Sequence, residues 1–174
     1  VRAEDRATQY GHRAAIVLFT GSAQTGKTFL ARRVEALLVA DSRHAYLLEG
    51  ENLLQGLDAD LSAADPSFAA ERVRRYGEVA RLLIDTGLIV VSTSKTFGIN
   101  YQRMAEMIRT LVQPAPVIAV HMSRAGEEPP PNTDLHFAGP QDFDAAARQI
   151  LEELKRRGVL IQPSGTKSTI QYSI

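Results

Sequence analysis

Residues 14–28 read Ala-Ala-Ile-Val-Leu-Phe-Thr-Gly-Ser-Ala-Gln-Thr-Gly-Lys-Thr. Ala14 to Thr20 is a nearly unbroken apolar run that stops at Gly21. Such a run suits a strand covered on both faces, as in a parallel sheet. The next stretch, Gly21-x4-Gly26-Lys27-Thr28, has the full spacing of a P-loop. Its two glycines allow backbone angles that a Cβ makes costly, so the main-chain N–H groups can wrap a phosphate. The helix that follows points its positive end at the same place. Gly21, Ser22, Ala23, Gln24, Thr25, Gly26, Lys27 and Thr28 are therefore the expected nucleotide-binding residues. Lys27 is placed for the β- and γ-phosphates and Thr28 for Mg²⁺.

Outward from this stretch, strands alternate with helices. Apolar residues at Leu30, Val34, Leu37 and Leu38 predict a helix over 28–40. Ala45 to Leu48, Leu88 to Ser92, Pro116 to Met122 and Leu135 to Phe137 read as further strands. Asp65-Pro66 predicts the cap and first turn of a long helix ending near Thr86, with Gly87 as its stop. Tyr101 to Val112 and Gln141 to Arg157 read as the last two helices. The expected fold is α/β: a P-loop kinase-like three-layer sandwich. A mostly parallel five-stranded sheet carries helices on both faces, joined by right-handed crossovers. Residues 1–13 read as a linker with one helical turn, 14–158 as the domain and 159–174 as a C-terminal tail.

Composition narrows the function. Twenty basic residues balance 20 acidic ones, which gives no footprint for nucleic acid. With no cysteine, disulfides, thiolate metal sites and cysteine nucleophiles are excluded, which suits the cytoplasm. His12, His44, His121 and His136 lack metal-ligand spacing. No stretch reads as a signal peptide or as long enough to span a membrane. The chain opens at Val1, which suits a piece of a longer polypeptide with a partner domain upstream.

Several further stretches resemble the adenylylsulfate kinase (APS kinase) family. They are Leu18-Phe19-Thr20-Gly21, Ala45-Tyr46-Leu47-Leu48-Glu49-Gly50-Glu51-Asn52, Gln55-Gly56-Leu57, Val73-Arg74-Arg75 and Asp85-Thr86-Gly87-Leu88-Ile89-Val90. The resemblance implies phosphoryl transfer from MgATP to the 3′-hydroxyl of adenylyl sulfate. Glu4-Asp5-Arg6-Ala7 and Tyr10-Gly11-His12-Arg13 resemble the lead-in found where this kinase follows an elongation-factor-like, GTPase-like ATP sulfurylase subunit. A homodimer is a further implication.

Lys27, Glu49 and Glu51 are the catalytic candidates. Glu49 would orient or deprotonate the acceptor hydroxyl, and Glu51 would assist metal or water. Asn52, Arg74, Arg75 and Lys95 are substrate candidates; each also reads as an ordinary loop or solvated helix residue.

The departures are specific. The family's Asp-Gly-Asp-Asn is Glu49-Gly50-Glu51-Asn52 here, and a substrate arginine is replaced by Leu54. Ser67-Phe68-Ala69 stands where the family has Asp-Arg, and Arg72 replaces a substrate asparagine. The family's Ile-Ser-Pro-Tyr-Arg becomes Ser94-Lys95-Thr96-Phe97-Gly98, and only Ser123 to Asn132 stand in place of a long basic lid. Each lost charged contact is worth about 1.5–3 kcal/mol of binding. Three readings follow: an APS-kinase-like catalyst with an eroded acceptor site, a nucleotide-binding or docking module of a sulfate-activating protein, and a kinase for another small acceptor.

Overall fold

The computed structural model describes residues 1–93, 100–139 and 141–161. Its elements run α1 (Ala3–Tyr10), β1 (Ala15–Gly21), α2 (Lys27–Ala40), β2 (Ala45–Glu49), a 3-10 turn (Gly50–Leu53), α3 (Phe68–Asp85), β3 (Ile89–Thr93), α4 (Tyr101–Val112), β4 (Val117–Ser123), β5 (Leu135–Ala138) and α5 (Phe143–Arg156). The five strands form one sheet in the order β2-β3-β1-β4-β5, and every pairing is parallel. Ile16 is in register with Val90 on one side and Val117 on the other, so β1 is central. The expected five-stranded α/β sandwich is the observed fold.

Alternation along β1 builds two cores. Val17 and Phe19 point to a cluster with Leu30, Val34 and Leu38 of α2 and Ile150 and Leu154 of α5. Ile16 and Leu18 point the other way, to Val73, Tyr76 and Ala80 of α3 and Met104 and Ile108 of α4. Each of the larger aliphatic, Phe or Met side chains, fully withdrawn from water, contributes about 1.5–3 kcal/mol. On that second face α3 and α4 approach closely at Gly77, where a Cβ would lie 2.4 Å from Leu111 Cδ1.

Three boundaries differ from the sequence reading. The N-terminal segment forms the eight-residue α1 rather than a linker with a single turn. Tyr10 of this helix packs on His44, and their ring centroids are 4.2 Å apart. The long helix starts at Phe68, not at Asp65-Pro66. Asp65 Oδ1 instead accepts from both the Ser67 N–H and hydroxyl at 2.7 Å, closing a local turn that competes with a helix cap. The last helix starts at Phe143, with Asp142 as its cap accepting from the N–H groups of Asp144 and Ala145.

The core continues past 158: Val159 and Leu160 are buried, and Leu160 bridges antiparallel to His12. The expected tail from 162 onward lies outside the described residues.

Candidate active site

Gly21 ends β1 with φ 127°, and Gln24 and Gly26 also take positive φ, at 61° and 87°. These angles curl the chain back so that α2 starts at Lys27, directly behind the loop. A Cβ on Gly21 would sit 1.8 Å from the Met122 carbonyl oxygen. Glycine is required there on both counts. The loop is held by its own atoms: Ser22 N–H donates to Met122 O at 3.0 Å, and the Thr25 hydroxyl donates to Ser22 O at 2.9 Å. The Lys27 ammonium donates to the same Ser22 carbonyl. Desolvation lowers the Lys27 pKa from the ordinary lysine value, and the nearby Glu51 carboxylate opposes that shift. Thr28 follows in the first turn of α2 and is exposed.

The expected catalytic carboxylates sit at the carboxyl end of β2. Glu49 closes that strand in register with Thr93 of β3, and Arg32 of α2 donates to its Oε1 at 3.0 Å. Glu51 lies in the 3-10 turn, within electrostatic reach of Lys27. The structure therefore brings Lys27 and Glu51 to one place and gives Glu49 a cationic partner. Beneath them the Tyr76 hydroxyl lies 2.9 Å from Leu48 O, 2.5 Å from Ser92 Oγ and 3.2 Å from Thr93 O. Burial raises the Tyr76 pKa, so the ring stays a neutral strut between α3 and the ends of β2 and β3.

The substrate candidates fare differently. Asn52 is exposed in the 3-10 turn. Arg74 forms two 2.7 Å hydrogen bonds to Glu71, one helical turn away. Arg75 clamps Asp60 at 2.5 and 2.9 Å and also reaches Glu71 and the Leu57 carbonyl. Both arginines thus hold intramolecular carboxylates. Arg72 is buried against Asp58 at 3.0 Å, each side chain 3% exposed. Lys95 lies outside the described residues, as do its neighbours Ser94 to Gly98.

Sequence reasoning missed the residues that brace the loop. Tyr101, the first residue of α4, donates from its hydroxyl to Gly21 O at 2.7 Å. His121 of β4 lies edge-on to that ring, with its Nδ1 2.9 Å from the Thr20 hydroxyl. Burial lowers the His121 pKa, and His136 and Lys27 lower it further. Glu127, on the loop after β4, accepts from the Ser22 hydroxyl at 2.6 Å. No local pattern announces these contacts, which span 80 to 105 residues. A cavity of about 430 Å³ opens beside the loop, lined by Gln24, Thr25, Arg124, Gln141 and Phe143 among others. Phe143 also fills the space a Cβ on Gly26 would need and packs on Phe29 at 4.9 Å.

The cradle suits a polyphosphate, and its chemistry suits Mg²⁺. That ion commonly takes one or two protein oxygens plus phosphate oxygens and water, so the Thr28 hydroxyl and the bound nucleotide suffice. Among the described residues no three His, Asp or Glu side chains gather as a metal site of their own.

A central parallel strand, a glycine-curled loop and a lysine on the following helix define a P-loop nucleotide-binding domain of the kinase type. The family profile of adenylylsulphate kinase matches residues 13–129, and the chain belongs to that family. It is 30% identical over 186 residues to an adenylyl-sulfate kinase of Yersinia pestis, covering 90% of this chain and 85% of the relative. It is 40% identical over 119 residues to one of Shewanella amazonensis, covering 68% of this chain and 58% of that relative. A mutant APS kinase of Mycobacterium tuberculosis superimposes with a TM-score of 0.72 at 29% identity, over 83% of this chain and 99% of that one. The same enzyme in complex with AMPPNP and APS gives a TM-score of 0.70 at 24% identity, over 83% of this chain and 99% of that one; that likeness shows the fold.

Proposed function

We propose that the domain binds MgATP in the Gly21–Thr28 cradle and transfers its γ-phosphoryl group to the 3′-hydroxyl of adenylyl sulfate. The observation that carries this reading is the curled loop with Lys27 behind it, in a chain of the adenylylsulphate kinase family. The related fold that holds AMPPNP and APS supports both ligands. Lys27 neutralises the transferring phosphoryl group, and the Thr28 hydroxyl would help hold Mg²⁺, which would supply screening of the phosphate charge. Glu49 receives the proton as the 3′-oxygen bonds to phosphorus and the bond to the ADP oxygen breaks. Glu51 keeps Lys27 charged and assists the metal. The base of the donor enters the 430 Å³ cavity.

Lys27→Ala should abolish MgATP-dependent formation of phosphoadenylyl sulfate, measured by separation of the nucleotides. Wild-type protein that forms none at high adenylyl sulfate defeats the catalytic reading.

A second reading is a catalytically impaired nucleotide-binding module that serves an upstream sulfate-activating domain of a longer cytoplasmic polypeptide. The buried Arg72–Asp58 pair favours it, because Arg72, a substrate position by resemblance to the family, is already held by a carboxylate. So does the short 124–134 connection between β4 and β5. It predicts ATP or ADP binding without turnover. Substrate contacts by Asn52, Arg74 and Arg75, and pairing into a homodimer, belong to the catalytic reading.

A further inference from the structure

The chain that turns from β5 into α5 carries a side-chain amide onto the wall of the cavity. Gln141 Nε2 donates to Ala138 O at 2.9 Å and to Gly139 O at 3.2 Å. Both carbonyls belong to backbone that is itself held. Ala138 closes β5 beside Ser123, and Gly139 N–H donates to Ser123 O at 2.9 Å. On the other side Asp142 caps α5 by accepting from the N–H groups of Asp144 and Ala145. Gln141 is thus fixed from both directions, and it is half-buried.

A side-chain amide has two donor hydrogens and one acceptor oxygen. Here both hydrogens are committed to loop carbonyls. Turning the group over would set its oxygen against those same two oxygens, so the hydrogen-bond network fixes its orientation. Gln141 Oε1 is left as an acceptor with no partner among the described residues. The other polar side chains on the wall differ. The Thr25 hydroxyl donates to Ser22 O, and the Ser123 hydroxyl is taken up by Arg124 O and His136. Gln24 and Arg124 are exposed and make no side-chain hydrogen bond among the described residues, so nothing holds them in one orientation. Phe143 adds an aromatic face. The cavity of about 430 Å³ therefore pairs an apolar ring with one side-chain acceptor held in place.

We propose that Gln141 is a specificity-determining residue of the donor site: its Oε1 accepts from the exocyclic amino group of the donor base and so selects adenine over purines with hydrogen or a carbonyl oxygen at that ring position. This rests on the reading that the base of the donor enters this cavity. A purine without the amino group leaves the fixed oxygen unpaired. Guanine brings a second oxygen to it with no hydrogen between them. A site built to hydrogen-bond one group rejects analogues that lack it, because its own polar atom then loses water and gains nothing.

The test is calorimetric titration of wild type and Gln141→Leu with the magnesium complexes of ATP, purine riboside triphosphate and GTP. Purine riboside triphosphate lacks only the amino group. Wild type should bind ATP roughly fivefold or more tightly than this analogue, and GTP more weakly than either. In Gln141→Leu the affinity for ATP should fall to that of the analogue, closing the gap, with thermal melts verifying that the variant folds. Equal binding of ATP and the analogue by wild type overturns the proposal without recourse to a variant. GTP bound as tightly as ATP overturns it too. So does a gap that persists in Gln141→Leu, which would mean that Gln141 only braces the loop. Each of these results leaves the cradle reading standing, since nucleotide binds. If wild type binds none of the three nucleotides, the cradle reading fails and this inference with it.

Discussion

The hydroxyl of Tyr101 donates a 2.7 Å hydrogen bond to the carbonyl of Gly21, tying the first residue of α4 to the last residue of β1. The phosphate loop thus has an external strut besides its internal hydrogen bonds. Tyr101→Phe removes the donor and keeps the ring on His121. It should cost about 0.5–1.5 kcal/mol of stability. ATP affinity should fall roughly three- to tenfold, since a loosened loop must be ordered by the ligand. Urea unfolding and calorimetry measure the two effects; unchanged binding would mean the strut does not shape the loop.

Two glycines with positive φ make a matched pair. Gly21→Ala brings a Cβ to 1.8 Å from the Met122 carbonyl oxygen, a backbone atom that cannot swing aside. Severe destabilisation or failure to fold is expected. Gly126→Ala places a Cβ in open space at φ +85°, so only the left-handed angle is penalised, by about 1–2 kcal/mol. Similar losses for both variants would show that the Gly21 contact relaxes.

Asp58 and Arg72 form a pair buried to 3% exposure, with the Arg72 guanidinium also 5.5 Å over the Phe68 ring. Asp58→Ala leaves the arginine without this carboxylate and should cost about 3–5 kcal/mol. Replacing both, as Asp58→Leu with Arg72→Met, should recover much of that loss. Denaturant midpoints of the single and double variants decide it. A double variant as unstable as the single one would mean that the charges are not the source of the cost.

His12 supplies a pH dependence. It is fully buried; its Nε2 accepts from the His44 N–H at 3.0 Å, and its Nδ1 lies 3.2 Å from the Arg13 carbonyl. That arrangement needs the neutral ring, with the proton on Nδ1. Burial lowers the His12 pKa; the Arg13 carbonyl opposes this, and His44 and Arg43 lower it further. The unfolded chain, with a pKa near ~6.5, binds the proton first as pH falls. Stability should be flat above that value and drop below it as pH falls toward the folded pKa. His12→Gln should be less stable at neutral pH but lose this part of the acid slope, as read from urea midpoints between neutral and mildly acidic buffers. An unaltered slope would place the effect elsewhere.

The sheet was readable because β1, β3 and β4 are buried on both faces, and their apolar runs need no partner to be seen. The phosphate loop was readable because its glycines, lysine and threonine lie within eight consecutive residues. Helix starts were less so. Asp65 has the chemistry of a cap and spends it on a turn with Ser67. The loop's supports were invisible, since Tyr101, His121 and Glu127 act on residues far away in the chain. Arg74 and Arg75 show the reverse: a basic pair that suggests an anionic ligand already holds Glu71 and Asp60.

The central place of β1 also governs timing. Its two neighbours are β3 and β4, and Ile16 meets Val90 and Val117 across most of the chain. During synthesis the earliest strand therefore waits without a pairing partner until β3 emerges from the ribosome, and Gly21 meets Met122 only after β4 has followed. Until then, the apolar segment that later holds the nucleotide loop lacks the neighbours that cover it, which leaves it open to misassociation.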